Sequence, residues 1–336
     1  MERIRKNKVL LYLLISVFLL LIVFILGLLI GKYKISILSF LNILTGQENV
    51  NITDKTVIMN IRLPRTIVAG LVGIGLAVSG LIYQEVFQNK LVSPDFLGVS
   101  SGAGVGACIA IIIGITGIGI CFFSFGFGIL AMILTLLLSK SFRNNSPTIL
   151  LLSGIIVSGL MDALISFIKF LADSDNQLGE ITYWLLGSFS KVTIKEVYLI
   201  FPIVFICIIT LFLIRWRINI VSLGKEAAEN KGLNYNIYML LIIIVITILT
   251  SVSVSFCGIV GWIGLVVPQI VRLLVGRNTV KSILLTILVG AIFMIICDIV
   301  SRTFTFSEIP LSAVTGFLGT PIFIAILFIK RGNIYD

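Results

Sequence analysis

Apolar residues along this chain gather into long unbroken runs, and polar residues are confined to the gaps between them. Runs long enough to cross a bilayer fall at about residues 9–31, 64–83, 95–114, 117–138, 148–171, 194–214, 235–257, 259–276, 280–300 and 310–329. Each is close to the roughly 20 residues that an α-helix needs to span a ~30 Å hydrocarbon core. The pattern predicts an all-α polytopic membrane protein of about ten transmembrane helices. Pro94, Pro268 and Pro321 interrupt apolar stretches, and the stretch around Pro268 is short for a full span. Short or broken helices in both halves of a chain point to inverted repeats around a transport path. Small residues recur every fourth position at Ala69, Gly73 and Ala77 and again at Gly98, Gly102 and Gly106. Such stripes predict close helix–helix approach, because lipid supplies no hydrophobic drive for association. The Gly102–Gly106 string follows no strand, so it is read as helix packing and not as a nucleotide loop.

Composition sharpens this picture. With 336 residues, 58% of them hydrophobic and 12% charged, and a mean hydropathy of +1.17, the chain is too apolar for a soluble domain and too long for a single anchor. A net charge of +10 is also found in nucleic-acid-binding proteins, but here the basic residues sit mainly at the ends of apolar runs, where they set orientation instead. The opening MERIRKNK and the long run after it read as a retained first helix, since the run can span and shows no small-residue cleavage site. Ten spans put both termini on one side, and Arg3, Arg5, Lys6 and Lys8 mark that side as cytoplasmic. Sixteen of the 25 Lys and Arg then lie inside and nine outside, while Glu48, Asp54, Asp173, Asp175, Glu180, Glu196 and Glu308 all lie outside. The expected location is the cell (inner or plasma) membrane, with the whole of 1–336 forming one transmembrane domain. Five isolated cysteines without CxxC spacing, and no histidine, argue against a zinc, haem or histidine-based site. No catalytic residue, metal site or bound cofactor is expected in this chain.

The segment Arg215 to Leu233 is a long charged stretch between strongly apolar ones. Ser222 is placed to cap a following helix, Glu226 lies near its positive end, and Gly232 supplies a left-handed stop. Leu223, Ala227 and Asn230 would share one face and present small residues to a partner groove. On local signals alone, an ordinary polar loop is the favoured reading, because capped two-turn helices are common. Two intramembrane acids, Asp162 and Asp298, raise a different class, since a pair of carboxylates sharing a proton makes an aspartyl protease. Neither lies in a Gly-x-Gly-Asp setting. An ATP-independent channel or receptor is the other rival.

Four blocks resemble the permease subunits of type II ABC importers for cobalamin, ferric siderophores and haem. They are RLPRTIVAGLVGIGLAVSGLIYQEVFQNKLVSPDFLGVSSGAGVG from Arg62, VSLGKEAAENKGLN from Val221, GIVGWIGLVVPQIVRLLVG from Gly258 and DIVSRTFTFSEIPLSAVTGFLGTPIF from Asp298. The resemblance implies a cobalamin-importer-permease-like fold with inverted repeats. It also implies a pathway between this chain and a second copy or close paralogue, two cytosolic ABC ATPase subunits and an extracytoplasmic substrate-binding protein. ATP and Mg would belong to the ATPase, as this chain has no P-loop. Position by position, Arg62, Arg65 and Arg302 correspond to arginines that dock the binding protein. Ser222, Leu223, Gly224, Ala227 and Gly232 fall in the coupling helices, at about 219–234. Asn89 and Leu91, with Ser146 and Thr148, correspond to the cytoplasmic gate. Lys90 and Gln269 depart from the family's usual proline and histidine. Ferric siderophore is the cargo expected first, with haem, cobalamin and molybdate as alternatives.

Overall fold

The computed structural model describes residues 2–46, 51–142, 146–276 and 279–331. Glu48, Arg143 and Arg277, and the side chains of Arg3, Arg5, Lys6, Lys281, Lys330 and Arg331, which entered the charge count, lie outside the described residues. The chain runs through α1 (Glu2–Leu29), α2 (Ile37–Leu44) and α3 (Ile52–Thr56), and a π-helical stretch Val57–Arg62 leads into α4 (Leu63–Val86). A 3₁₀ turn Pro94–Leu97 precedes α5 (Val99–Ile112), followed by α6 (Ile118–Ser141), α7 (Pro147–Leu171), α8 (Gln177–Leu186) and α9 (Ile194–Leu213). Then come α10 (Arg215–Val221), α11 (Lys225–Asn230), α12 (Tyr235–Cys257), α13 (Ile263–Val275), α14 (Thr279–Thr303) and α15 (Leu311–Arg331).

Among the described residues, eight helices are long and apolar enough to cross a membrane, and α5 and α13 are shorter apolar helices of 14 and 13 residues. Together they make up the ten expected elements. At 1.5 Å per residue the short pair reaches only about 20 Å, less than a hydrocarbon core. They occupy matching places, second in the series α4–α5–α6–α7 and second in α12–α13–α14–α15. The packing of the two series also corresponds. Helix α4 packs on α14 as α12 packs on α6, α5 on α6 as α13 on α14, α5 on α7 as α13 on α15, and α4 on α13 as α12 on α5. Four membrane helices, α5, α6, α7 and α9, lie between α4 and α12, so the two series run in opposite directions, which is the inverted repeat that the interrupted spans suggested.

Helix α4 is buried almost all round, whereas α1 exposes nearly its whole apolar surface, as a helix bathed in lipid would. Missing side chains let α4 sit at the centre. A Cβ on Gly73 would lie 2.3 Å from the Gly290 carbonyl of α14, and one on Gly80 would lie 2.0 Å from the Gly264 carbonyl of α13. Gly106 meets the Phe123 carbonyl of α6 equally closely, at 2.3 Å. The predicted small-residue stripes are therefore backbone contacts, with one correction. Gly98 lies before the helix in the left-handed conformation (φ 77°), where it ends the 3₁₀ turn and does not join the stripe.

Candidate functional site

Two regions carry the residues singled out by sequence, one at each end of the bundle. The end holding the C-terminus of α1 is the predicted outer end, and the end holding α10 and α11 is the predicted inner one.

At the inner end, the segment Arg215–Leu233 folds into two short helices and not one. Helix α10 continues α9 after a bend at Ile214, buries Ile218 and Val221, and lays the Arg215 guanidinium 3.8 Å over the Phe212 ring. Ser222 does not cap the following helix. It closes α10, with its Oγ donating to the Asn219 carbonyl at 2.9 Å. Gly224 opens α11 at φ 99°, a conformation that glycine alone adopts freely. The left-handed stop at Gly232 (φ 74°) is where sequence put it, with Gly232 N–H donating to Glu229 and Leu233 N–H to Ala228. Ala228 is fully buried against the bundle, while Leu223 is 59% exposed, Ala227 half-buried and Asn230 exposed. The predicted presenting face thus points away from the membrane helices.

Beside this elbow lies the loop between α4 and the 3₁₀ turn, which contains Asn89 and Leu91. Asn89 Oδ1 accepts from Leu91 N–H at 3.0 Å, an Asx-type turn that leaves the Leu91 side chain exposed. Beneath it, α13 and α4 share a buried polar cluster. Gln269 Nε2 donates to the Lys90 carbonyl at 2.8 Å, Arg272 Nη2 to Glu85 at 2.9 Å and Arg272 Nη1 to Gln84 Oε1. Gln84 in turn donates to the Gly264 carbonyl at 3.1 Å. Glutamine in place of the family's histidine thus serves as a donor that pins the loop. Of the remaining gate candidates, Ser146 caps α7 by accepting from Ile149 N–H at 3.4 Å, and Thr148 is exposed one residue beyond Pro147.

At the outer end the structure corrects an expectation. Arg62, Arg65 and Arg302 are not presented as open forks, because all three are buried and bonded inside the chain. Arg62 donates to the carbonyls of Leu28, Leu29 and Tyr33 at 2.6–2.9 Å, closing the C-terminus of α1. Arg65 Nε reaches Asp298 Oδ1 at 2.6 Å, and its Nη atoms hold Glu308 in a fork at 2.6 and 3.0 Å. Arg302 donates to the Gly27 carbonyl at 2.5 Å and lies 3.4 Å from Asp298 Oδ2. Asp298 is therefore claimed by two arginines, and Asp162 sits on an exposed face of α7, so the pair does not supply a protease's shared-proton dyad. The exposed features here are Lys32, Lys34, Phe304 and Phe306.

Glu308 lies between α14 and α15 and titrates below the usual glutamate range. Burial acts to raise it, but the hydrogen bonds and charge of Arg65, with Lys32 and Arg302, outweigh that effect. A carboxyl depressed by folding adds stability above its unfolded pKa and loses it as pH falls through the folded one. Glu308→Gln is therefore expected to flatten the loss of thermal stability in acid below about pH 4, the unfolded range of a glutamate. Melting curves of the purified protein across that window provide the check, and an unchanged acid limb would count against the ion pair.

The Glu308 fork and the Gln84–Arg272 contact escaped the sequence reading, since nothing periodic joins residues so far apart. The only hint was that each acid or amide is a polar residue in or beside an apolar run.

Comparison with known proteins gives one consistent answer. Residues 19–329 match the FecCD transport family. The molybdate import system permease protein MolB of Haemophilus influenzae is 35% identical over 313 residues, 91% of this chain and 92% of the relative. A probable iron chelatin transport system permease protein of Helicobacter pylori is 38% identical over 276 residues, 82% and 83% of the two chains. A solved structure described as an inward-facing conformation of a metal-chelate type ABC transporter superposes with a TM-score of 0.86 at 32% identity, covering 94% of this chain and 98% of the other.

Proposed function

Because the chain belongs to the FecCD transport family and is a multi-pass ABC importer permease, we propose that it imports a metal chelate, ferric siderophore first, as one of a pair of permease subunits driven by a separate ATPase. The observation that carries the coupling half of this reading is the exposed Leu223 beside half-buried Ala227 on a two-helix elbow whose other side is buried. A short capped element braced on one side and bare on the other suits insertion into a partner's cleft. Asn89 and Leu91 in the loop beside it form the inner gate, together with Ser146 and Thr148 at the start of α7.

The extracytoplasmic binding protein docks at the opposite end. Here Arg62, Arg65 and Arg302 act from beneath, fixing α1, α4, α14 and the loop before α15, while Lys32, Lys34, Phe304 and Phe306 supply the exposed surface. Both termini face the cytoplasm. The cargo reading draws on the iron-chelatin relative and the metal-chelate transporter structure. It is tested by uptake of radiolabelled ferric siderophore into cells or proteoliposomes carrying the complete system. The expected result is ATP-dependent uptake that excess molybdate does not compete away. Competition by molybdate, or uptake of molybdate alone, would transfer the cargo to the class named for the Haemophilus relative.

A further inference from the structure

Gln88 follows α4 at φ 50°, in the left-handed region, one of two non-glycine residues with positive φ among the described residues. That backbone turns its exposed side chain toward the elbow, where Nε2 donates to the Ser222 carbonyl at 2.5 Å. Ser222 is the end of α10, and with Leu223 and Gly224 it forms the bend before α11. Two residues after Gln88, the Lys90 carbonyl is held by Gln269 of α13, which the Gln84–Arg272–Glu85 cluster fixes in turn. The loop carrying Asn89 and Leu91 is thus tied at one end to the elbow and at the other to the membrane helices. Any displacement of the elbow relative to α13 must either move this loop or break one of the two ties.

We infer that Gln88 is the positioning residue that transmits movement of the α10–α11 elbow to the inner gate loop. The inference rests on the coupling role proposed above. A hydrogen-bond donor of sufficient length is what the position needs. Asparagine is one methylene too short, glutamate reaches but offers an acceptor to a carbonyl, and lysine or arginine both reaches and donates. Glycine and asparagine suit the left-handed backbone, so Gln88→Gly and Gln88→Asn cut the tie without adding backbone strain.

The test uses the complete transporter in proteoliposomes, reading ATPase co-purification, ATP hydrolysis and cargo uptake together. Gln88→Gly, Gln88→Asn and Gln88→Glu are expected to keep the ATPase bound and hydrolysing while uptake per ATP falls about threefold to tenfold, the factor equivalent to one net hydrogen bond. Gln88→Lys and Gln88→Arg are expected to restore it. Uptake per ATP unchanged in the glycine and asparagine variants, or lost equally in the lysine variant, would overturn the role. Loss of ATPase binding on cutting the tie would do so as well, since Gln88 would then be part of the partner contact. Failure of the underlying reading shows separately, as ATPase binding that survives aspartate at Leu223 and Ala227.

Discussion

Replacing Arg65 with alanine is expected to destabilise the protein by about 3–5 kcal/mol, the cost of stripping one partner from a buried ion pair. Arg65 is the main charge partner of Asp298, whose side chain is wholly buried, and it holds both oxygens of Glu308. Without it, Asp298 retains only Arg302 at 3.4 Å, without hydrogen-bond geometry. The link joining α4, α14 and the loop before α15 would also be lost. A cost of that size is a large share of the ~5–15 kcal/mol by which folded proteins are typically stable. The melting temperature and the monodisperse yield of the detergent-purified protein should both drop. Arg65→Ala with Asp298→Asn removes the orphaned charge and should recover part of the loss. An Arg65→Ala protein that melts like the wild type but no longer binds the external binding protein would reverse the assignment, making Arg65 a docking contact and not a brace.

Aspartate at both Leu223 and Ala227 is expected to abolish stoichiometric co-purification of the ATPase and reduce uptake to background. Leu223 is exposed and Ala227 only half-buried, so the permease itself should fold and insert, which its monodisperse yield checks. Burying two carboxylates in a protein contact carries a desolvation cost. At about 1.4 kcal/mol for each tenfold change in affinity, even a partial penalty at each site weakens the complex a hundredfold. Ala228→Asp provides the contrast: that residue is fully buried against the bundle, so the same charge there should damage folding. If the double variant retained both its ATPase and its uptake, the elbow would not be the coupling element.

The eight long membrane helices were legible because length and apolarity, the two properties a span requires, are written along one dimension, and α5 and α13 were legible from apolarity alone. The third run was read from residue 95 because Phe96 and Leu97 are apolar, although they belong to a 3₁₀ turn closed by left-handed Gly98. Ser222 was read as an N-cap from its residue type and position. Leu223 and Gly224 intervene before α11 begins, and a serine can as well close the helix behind it. The three arginines gather at one end of the bundle, around the C-terminus of α1, but the expectation gave them an open surface. Besides Asp298, which stands four residues before Arg302, their partners are backbone carbonyls at the end of α1 and a glutamate 243 residues from Arg65, and neither of these leaves a trace in local pattern. The inner cluster was missed for the same reason: Gln84 and Arg272 meet only because Gly80 and Gly264 bring α4 and α13 into backbone contact.

Helix α13 also constrains how the protein is made. Its 13 apolar-rich residues include the charged Arg272, so as a nascent segment it lacks the length of a free-standing span and carries a charge that needs a partner. Its guanidinium finds Gln84 and Glu85 on α4, and Gln84 also satisfies the Gly264 carbonyl at its first turn. These groups are synthesised about 180 residues earlier. The polar partners of α13 are therefore already in the chain when α13 is synthesised, and the first repeat supplies the surface on which the second is completed.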